Sequence, residues 1–265
     1  MAGQIYITGD KHGTMRPLFG LAEKNELGKE YVLIITGDAG FVWDETYPKT
    51  IATLEQAFPG TTVFVDGNHE NHDLINAMEI MEWNGGRVHR VGERVFHLMR
   101  GEVYSILGQT IFTFGGARSS DKNDRRTEGV DWWKAEKPSE EELAYGEEQL
   151  KRHLNEIDYI ITHEPPLFAR EQITRKLPLD EDYRLPGVLD AWYSLAEEAP
   201  NLKKWYFGHV HVDQKITPKL RSLYNEILLL TEERPICWWY LRYRNQNNTM
   251  KRLRFPPWRT GGACL

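Results

Sequence analysis

The chain has 265 residues, which is enough for one large domain or two small ones. A hydrophobic fraction of 40% and a charged fraction of 27% are typical of a globular protein, and no apolar run is long enough to span a bilayer. The net charge of −6 argues against a general nucleic-acid binder. The chain start lacks a signal-peptide layout, and two cysteines imply no disulfide framework, so we predict a cytoplasmic protein with no membrane partner.

The first part of the chain predicts alternating strands and helices. Strands are predicted at Gln4–Thr8, Tyr31–Thr36 and 61–65, and helices are predicted between them at Pro17–Glu26 and Pro48–Phe58. The second strand is apolar throughout, as expected for a strand that is covered on both faces. This order predicts right-handed parallel crossovers and a covered sheet.

The pattern changes after residue 87. Three apolar segments with short polar connections predict an antiparallel meander: Val95–Leu98, Val103–Leu107 and Thr110–Phe114. The polar stretch at about 115–139 is too long for an ordinary connection. It contains the adjacent Trp132 and Trp133, which favour an ordered inserted loop.

The second half predicts further strands and helices. A capping box at Ser139 to Glu142 predicts a helix that runs to about Asn155. Later elements are a strand at Tyr159–Thr162, a helix within Leu185–Glu198, a strand at Lys204–Phe207, and strands from 216 onward that end in a hairpin at about 236–256. No linker divides the chain, so we predict a single domain over 1–265.

Five of the predicted strands are followed by side chains that commonly bind metals or act in acid–base catalysis. They are Asp10 and His12, then Asp38, then Asn68 and His69, then His163, and finally His209 and His211. In open α/β sheets, ligands bind at the carboxyl ends of the strands. We therefore expect these side chains to meet at one edge of the structure.

The candidate ligands are carboxylate oxygens, an amide oxygen and imidazole nitrogens. This mixture suits Mn²⁺, Fe or Zn²⁺ better than Ca²⁺, which prefers oxygen ligands only. Without His69 there are seven candidates, more than one tetrahedral zinc site needs. A pair of metals about 3.5–4 Å apart would use them all and could clamp a phosphoryl group.

The blocks around these residues resemble those of the calcineurin-like metallophosphoesterase family. They are Gly9-Asp10-Lys11-His12, Gly37-Asp38, Gly67-Asn68-His69-Glu70, His163 and Gly208-His209-Val210-His211, in the family's order. The resemblance implies an α/β fold, a four-layer α/β/β/α sandwich of two mixed β-sheets flanked by helices. It also implies a phosphoesterase with two divalent transition-metal ions, for which we favour Mn²⁺ over Fe or Zn²⁺.

The resemblance also implies a role for each residue. One metal would be held by Asp10, His12 and His211, the other by Asn68, His163 and His209, and Asp38 would bridge the two. A hydroxide that bridges the metals would attack the phosphorus. His69 would be the histidine that is not a ligand and that protonates or polarises the leaving oxygen.

The chain departs from the protein-phosphatase branch of this family after its second block. That branch continues with Asp-Arg-Gly, where this chain has Phe41-Val42-Trp43. The carboxylate that orients the catalytic histidine and a phosphate-binding arginine are therefore absent from their usual places. The candidate replacements for the carboxylate are Asp44, Asp66 and Glu70, each equally explained as a cap or a solvated group, and those for the arginine are Arg118, Arg125 and Arg126.

The resemblance favours a phosphoesterase that acts on a phosphomonoester or a phosphodiester. A nuclease or an RNA- or DNA-end phosphatase of the same fold is the alternative, because the stretch from Arg242 to Arg259 mixes basic and aromatic residues, although the net charge does not indicate a nucleic-acid partner. A scaffold without catalysis is less favoured, since every candidate ligand is present.

The 115–139 segment resembles one found in some bacterial and phage members. The remaining histidines are predicted to be structural: His72, His89, His97 and His153.

Overall fold

The computed structural model describes residues 3–15, 18, 31–119, 127–174 and 182–235. Several predictions concern residues outside these ranges: most of the helix at 17–26, the hairpin at 236–256, and the arginines at 125 and 126. Among the residues that the structure describes, no helix is both long enough and apolar enough to cross a membrane.

The structure contains fourteen described strands and five described α-helices. The strands are β1 (Gln4–Thr8), β2 (Tyr31–Ile35), β3 (Thr61–Phe64), β4 (Ile80–Trp83), β5 (Gly86–Arg90), β6 (Val95–Leu98), β7 (Val103–Ile106), β8 (Gln109–Phe114), β9 (Tyr159–Thr162), β10 (Lys204–Phe207), β11 (Gln214–Lys215), β12 (Leu220–Ser222), β13 (Ile227–Leu229) and β14 (Arg234–Pro235). The helices are α1 (Tyr47–Ala57), α2 (His72–Asn76), α3 (Glu140–His153), α4 (Leu167–Thr174) and α5 (Arg184–Ala196), with a short 3₁₀ helix at Lys134–Glu136.

The strands form two mixed sheets. The first has the order β14-β13-β1-β2-β3-β6-β5-β4, with a parallel centre of β1, β2, β3 and β6 and antiparallel neighbours on both sides. The second has the order β11-β12-β10-β9-β8-β7, with a parallel centre from β12 to β8. The parallel pairing of β1, β2 and β3 confirms the parallel order predicted for the start of the chain, and the right-handed crossovers stay a prediction.

Alternating side chains on the central strands produce the layers, because successive residues of a strand face opposite sides of the sheet. Ile5, Ile7, Val32 and Ile34 pack against residues of the second sheet, among them Tyr159. The residues between them pack outward against α1, as Leu33 and Ile35 do against Ile51 and Leu54. On the second sheet, Ile160 and Trp205 pack outward against Leu189 and Trp192 of α5. The fold is therefore the four-layer α/β/β/α sandwich that the resemblance implies.

The meander prediction for 95–114 is correct for the antiparallel pair at 103–114 but wrong for the strand at 95–98. β6 lies in the first sheet, where it pairs in parallel with β3, whereas β7 and β8 form a hairpin in the second sheet. The chain crosses between the sheets at Met99–Glu102. The antiparallel partner of β6 is β5, which forms an unpredicted hairpin with β4. Local alternation predicts strands correctly here, but it carries no information about which sheet a strand joins.

The predicted capping box is present at the start of α3. The Ser139 hydroxyl accepts a hydrogen bond from the Glu142 amide (3.2 Å), and the Glu142 carboxylate accepts one from the Ser139 amide (2.7 Å). These bonds satisfy two polar groups that would otherwise be unpaired at the helix start.

Ser139→Ala is expected to lower the free energy of unfolding by about 1 kcal/mol, because it removes this cap. Urea-induced unfolding measures the effect. The matched control is Ser105→Ala, which alters an exposed serine in β7. Equal stability of the Ser139→Ala and Ser105→Ala variants would show that the cap contributes nothing.

Candidate metal centre

The candidate residues follow five strands that come from both sheets. Asp10 and His12 follow β1, Asp38 follows β2, and Asn68 and His69 follow β3 in the first sheet. The other three follow strands of the second sheet: His163 after β9, and His209 and His211 after β10. The site therefore lies where the carboxyl ends of the two parallel centres meet, which is the usual place for a ligand site in an open α/β sheet.

One group of candidate ligands is already close enough to hold a metal ion. The ligand atoms of Asp10, His12, Asp38 and His211 all lie within 4.8 Å of one another. The His211 Nε2 atom is 3.1 Å from Asp10 Oδ2 and 3.0 Å from His12 Nε2. The two carboxylates are buried, whereas the two imidazoles are exposed, so this group is accessible from solvent.

His163 and His209 form the second group. His163 is fully buried, and its Nδ1 atom donates a hydrogen bond to the Thr36 carbonyl oxygen (2.8 Å), which leaves Nε2 as the free ligand atom. That Nε2 lies 3.3 Å from Asp38 Oδ1. The ring of His209 is 5.1 Å from that of His163, and its Nε2 lies 3.5 Å from Glu164 Oε2.

Asp38 lies between the two groups. Its Oδ2 atom is 3.9 Å from His12 Nε2, on the side of the first group, and its Oδ1 atom faces His163. Oδ1 also accepts a hydrogen bond from the amide of His69 (2.8 Å). The two oxygens of one carboxylate therefore face two different sets of imidazoles.

Asn68 supplies an unpaired buried oxygen. Among the described residues, the Asn68 Oδ1 atom has no hydrogen-bond partner. The buried His163 Nε2 atom has none either. An unpaired buried polar atom costs about 1–3 kcal/mol, so native structures rarely leave one without a reason. An amide oxygen and a neutral imidazole nitrogen are both suitable metal ligands, so these atoms fit a bound cation.

The backbone at four candidate ligands is strained. His12, Asp38, His209 and His211 have φ between 46° and 65°, in the left-handed region that residues with a side chain rarely adopt. Each such residue costs about 1–3 kcal/mol, and such residues cluster at functional sites. The strain indicates that side-chain direction matters more here than local backbone preference.

Gly37 and Gly67 allow His163 to approach Asp38. A Cβ atom on Gly67 would lie 2.0 Å from Asp38 Oδ1 and 2.7 Å from His163 Nε2. A Cβ atom on Gly37 would lie 2.2 Å from His163 Nδ1, and this residue has φ of 95°. Only glycine fits at these two positions while the ligands stay in place.

The electrostatics of the site favour a cation. Burial opposes ionisation of Asp38, but the neighbouring His163 imidazole holds the pKa of Asp38 below its ordinary value. Burial lowers the pKa of His163, but the Asp38 carboxylate outweighs it and raises this pKa to about 10. The Asp38 carboxylate thus favours positive charge beside His163, which a bound metal ion would also supply.

His69 lies among aromatic rings instead of carboxylates. Its ring is 4.8 Å from that of His12 in an edge-to-face contact and 6.3 Å from that of Trp43 in a nearly parallel arrangement. Trp43 in turn contacts Trp133 edge to face at 5.3 Å. The Trp133 indole nitrogen donates to Asp73 Oδ2 (3.0 Å), which fixes this stack.

The structure pairs all three candidate orienting carboxylates with groups other than the His69 imidazole. Asp44 accepts hydrogen bonds from Thr46 at the surface, and Glu70 accepts one from the Ala39 amide (2.7 Å). Asp66 accepts hydrogen bonds from His97 and Arg100. Glu70 thus supports the loop that carries Asp38, and within the described part of the chain no carboxylate hydrogen-bonds to the His69 imidazole. Each of the three candidates thus has another partner, and none of them is identified as the carboxylate that would orient His69.

Asp66 is the centre of a separate buried network. It accepts hydrogen bonds from His97 Nε2 (3.1 Å) and from Arg100 Nε (3.0 Å), and His89 pairs with His97 through their Nδ1 atoms (3.0 Å). His72 contacts the Gly67 carbonyl oxygen (3.0 Å). A cavity of about 380 Å³ adjoins this network, and none of the candidate ligands lines it.

The candidate arginines are only partly placed. Arg118 is half-buried and lines a cavity of about 90 Å³ with Glu164, whose carboxylate faces His209. Arg125 and Arg126 lie outside the described residues. Phosphate binding by Arg118 stays a prediction.

Sequence reasoning missed several residues that contact the site. Glu164 directly follows His163 and faces His209, and Tyr224 stacks on His211 with ring centroids 4.7 Å apart. Ser119 and Glu136 are buried beside Asn68. Only Glu164 carried a sequence signal, since it is a carboxylate next to a candidate ligand at a strand end.

Comparisons with known proteins agree with this fold. A family model described as calcineurin-like phosphoesterase matches residues 3–213. One crystal structure is 13% identical with a TM-score of 0.51, covering 89% of this chain and 98% of its own. The crystal structure of TT1561 of Thermus thermophilus is 12% identical with a TM-score of 0.47, covering 89% of this chain and 97% of its own. A comparison with curated proteins finds no match. The family match covers most of the chain, so the chain belongs to the calcineurin-like phosphoesterase family.

Gly67→Ala is expected to weaken metal binding strongly, because the new Cβ would overlap Asp38 Oδ1 and crowd His163 Nε2. Elemental analysis after metal reconstitution measures the effect. The matched control is Gly187→Ala in α5, where a Cβ meets nothing within 4 Å and where alanine should stabilise the helix by about 0.5–1 kcal/mol. Normal metal content in the Gly67→Ala protein would show that the close approach is not required.

Proposed function

We propose that this member of the calcineurin-like phosphoesterase family is a metal-dependent enzyme that hydrolyses a phosphomonoester or a phosphodiester. The observation that carries the proposal is the position of Asp38. This buried carboxylate directs one oxygen to each of two groups of metal-type ligands. Such a placement is what a carboxylate shared by two cations requires.

We assign the ligands to two divalent transition-metal ions. Asp10, His12 and His211 would hold one, Asn68, His163 and His209 would hold the other, and Asp38 would bridge them. The mixture of carboxylate, amide and imidazole atoms favours Mn²⁺, with Fe or Zn²⁺ as alternatives. Such a pair of ions would supply a hydroxide nucleophile and polarise the phosphoryl group.

His69 is assigned to the leaving oxygen. Its amide donates to the bridging Asp38, so its backbone is fixed beside the centre, while its half-buried imidazole packs between His12 and Trp43. A general acid in this position donates a proton as the ester bond breaks. The aromatic contacts hold the ring in place of the orienting carboxylate.

The other predicted functions have less support. The basic aromatic segment that favours a nuclease or a nucleic-acid-end phosphatase lies outside the described residues. A scaffold without catalysis is disfavoured because the ligands converge and four of them adopt strained backbone conformations. The single domain over 1–265 and the cytoplasmic location stay predictions.

The Mn²⁺-loaded protein is expected to bind about two ions per chain and to hydrolyse at least one of four substrates: a nitrophenyl monoester, a bis-nitrophenyl diester, a phosphopeptide, or a nucleic acid with phosphorylated ends. Asp38→Asn should lose both ions and all turnover, because Asp38 faces both ligand groups. Elemental analysis and product release measure these effects.

The control for this experiment is His153→Asn, which changes a surface histidine paired with Glu156 on the helix side of the second sheet. A protein that holds two ions but hydrolyses none of the four substrates would favour the scaffold. A protein that stays metal-free and fully active in chelator would reject the proposal.

His69→Asn is expected to retain both metals and to lower turnover of an alkyl phosphoester by about 10²–10⁴-fold, because an alkoxide is a poor leaving group that needs a proton. Turnover of a nitrophenyl ester should fall less, since a nitrophenolate leaves almost unaided. Comparison of the two substrates on one protein sample provides an internal control. Equal losses on both esters would reject the acid role, and loss of a metal ion would make His69 a ligand.

A further inference from the structure

The amide of Asn68 is held in one orientation by a chain of hydrogen bonds. Asn68 Nδ2 donates to Ser119 Oγ (3.4 Å), and Asn68 Oδ1 has no partner among the described residues. The amide of an asparagine can be flipped with little change in shape, which would exchange its oxygen and its NH₂ group. What lies beyond Ser119 therefore decides which of the two is left free.

Glu136 fixes the direction of this chain. It is fully buried, and its Oε1 accepts from the Ser119 amide (2.9 Å) while its Oε2 accepts from the Ser119 hydroxyl (2.8 Å). The single hydroxyl proton of Ser119 is thereby committed to Glu136. The hydroxyl can then only accept from Asn68, so Nδ2 must face Ser119 and Oδ1 must remain free.

We propose that Ser119 and Glu136 are positioning residues that keep the Asn68 oxygen directed to the second metal ion; this inference rests on the proposed function. A flipped amide would present an NH₂ group, which cannot bind a cation. Glu136 ends the short 3₁₀ helix that follows Trp133. The described ends of the 115–139 segment thus support the second metal ion through Asn68, as they support His69 through Trp133 and Trp43.

The test is a titration of metal-free protein with Mn²⁺, in which the electron paramagnetic resonance signal reports free Mn²⁺. The wild type should bind in two steps. Ser119→Ala removes the acceptor for Nδ2, and we expect it to weaken one step by about 10–100-fold and to leave the other unchanged.

Glu136→Gln should weaken the same step. In this variant the Gln side-chain oxygen would accept from the Ser119 backbone amide, and its NH₂ group would donate to the Ser119 hydroxyl. The hydroxyl would then donate to Asn68, which favours the flipped orientation of the Asn68 side chain. Ser119→Thr keeps a hydroxyl and should bind like the wild type. The controls are Ser105→Ala and Glu128→Gln, which alter exposed residues.

A merely structural role would give a different result. The urea midpoint of the metal-free Ser119→Ala and Glu136→Gln proteins would fall, but both Mn²⁺ constants would keep wild-type values, and this would overturn the inference. Equal weakening of both steps would also overturn it. A wild type that shows no two-step binding would reject the proposed function itself, and the inference with it.

Discussion

The structure of the site depends on the burial of negative charge. Asp10 and Asp38 are both almost inaccessible to solvent, and their ligand atoms lie within 4.8 Å of each other. Two carboxylates so placed repel each other strongly unless cations lie between or beside them. In the metal-free chain the imidazoles supply part of this compensation, as the raised pKa of His163 shows. The strained loops and the glycines bring these groups together, and bound metal ions would balance their remaining negative charge.

The loops of the site are supported from behind by buried polar residues. Glu70 holds the loop of Asp38, Glu164 faces His209, and Glu136 acts on Asn68 through Ser119. Each of these carboxyl groups has a defined partner, as a buried polar group requires. The first two lie beside the family motifs in sequence, whereas Glu136 comes from the 115–139 segment. The described ends of that segment, at 115–119 and 127–139, thus contact the residues of the site.

The departure from the protein-phosphatase motif has a structural counterpart. Where that branch has Asp-Arg-Gly, this chain has Phe41-Val42-Trp43, and Trp43 packs on His69 and contacts Trp133. Packing can restrict a ring as a hydrogen bond does, but it leaves the imidazole without a charged partner. Under the proposed function, His69 would therefore serve the leaving oxygen without a charged partner.

The sequence alone determined the central strands and the chemical identity of the candidate centre. Apolar runs located the central strands, and the polar residues after them identified the side chains that meet at the strand ends, because parallel strands place their carboxyl ends together. Tertiary structure alone decided the sheet to which each strand belongs, as the crossing between β6 and β7 shows. It also decided the partners of Asp66, Glu70 and Glu136. Such pairings join residues distant in the chain, as Ser119 and Asn68 are, and no local pattern encodes a contact that only the folded chain creates.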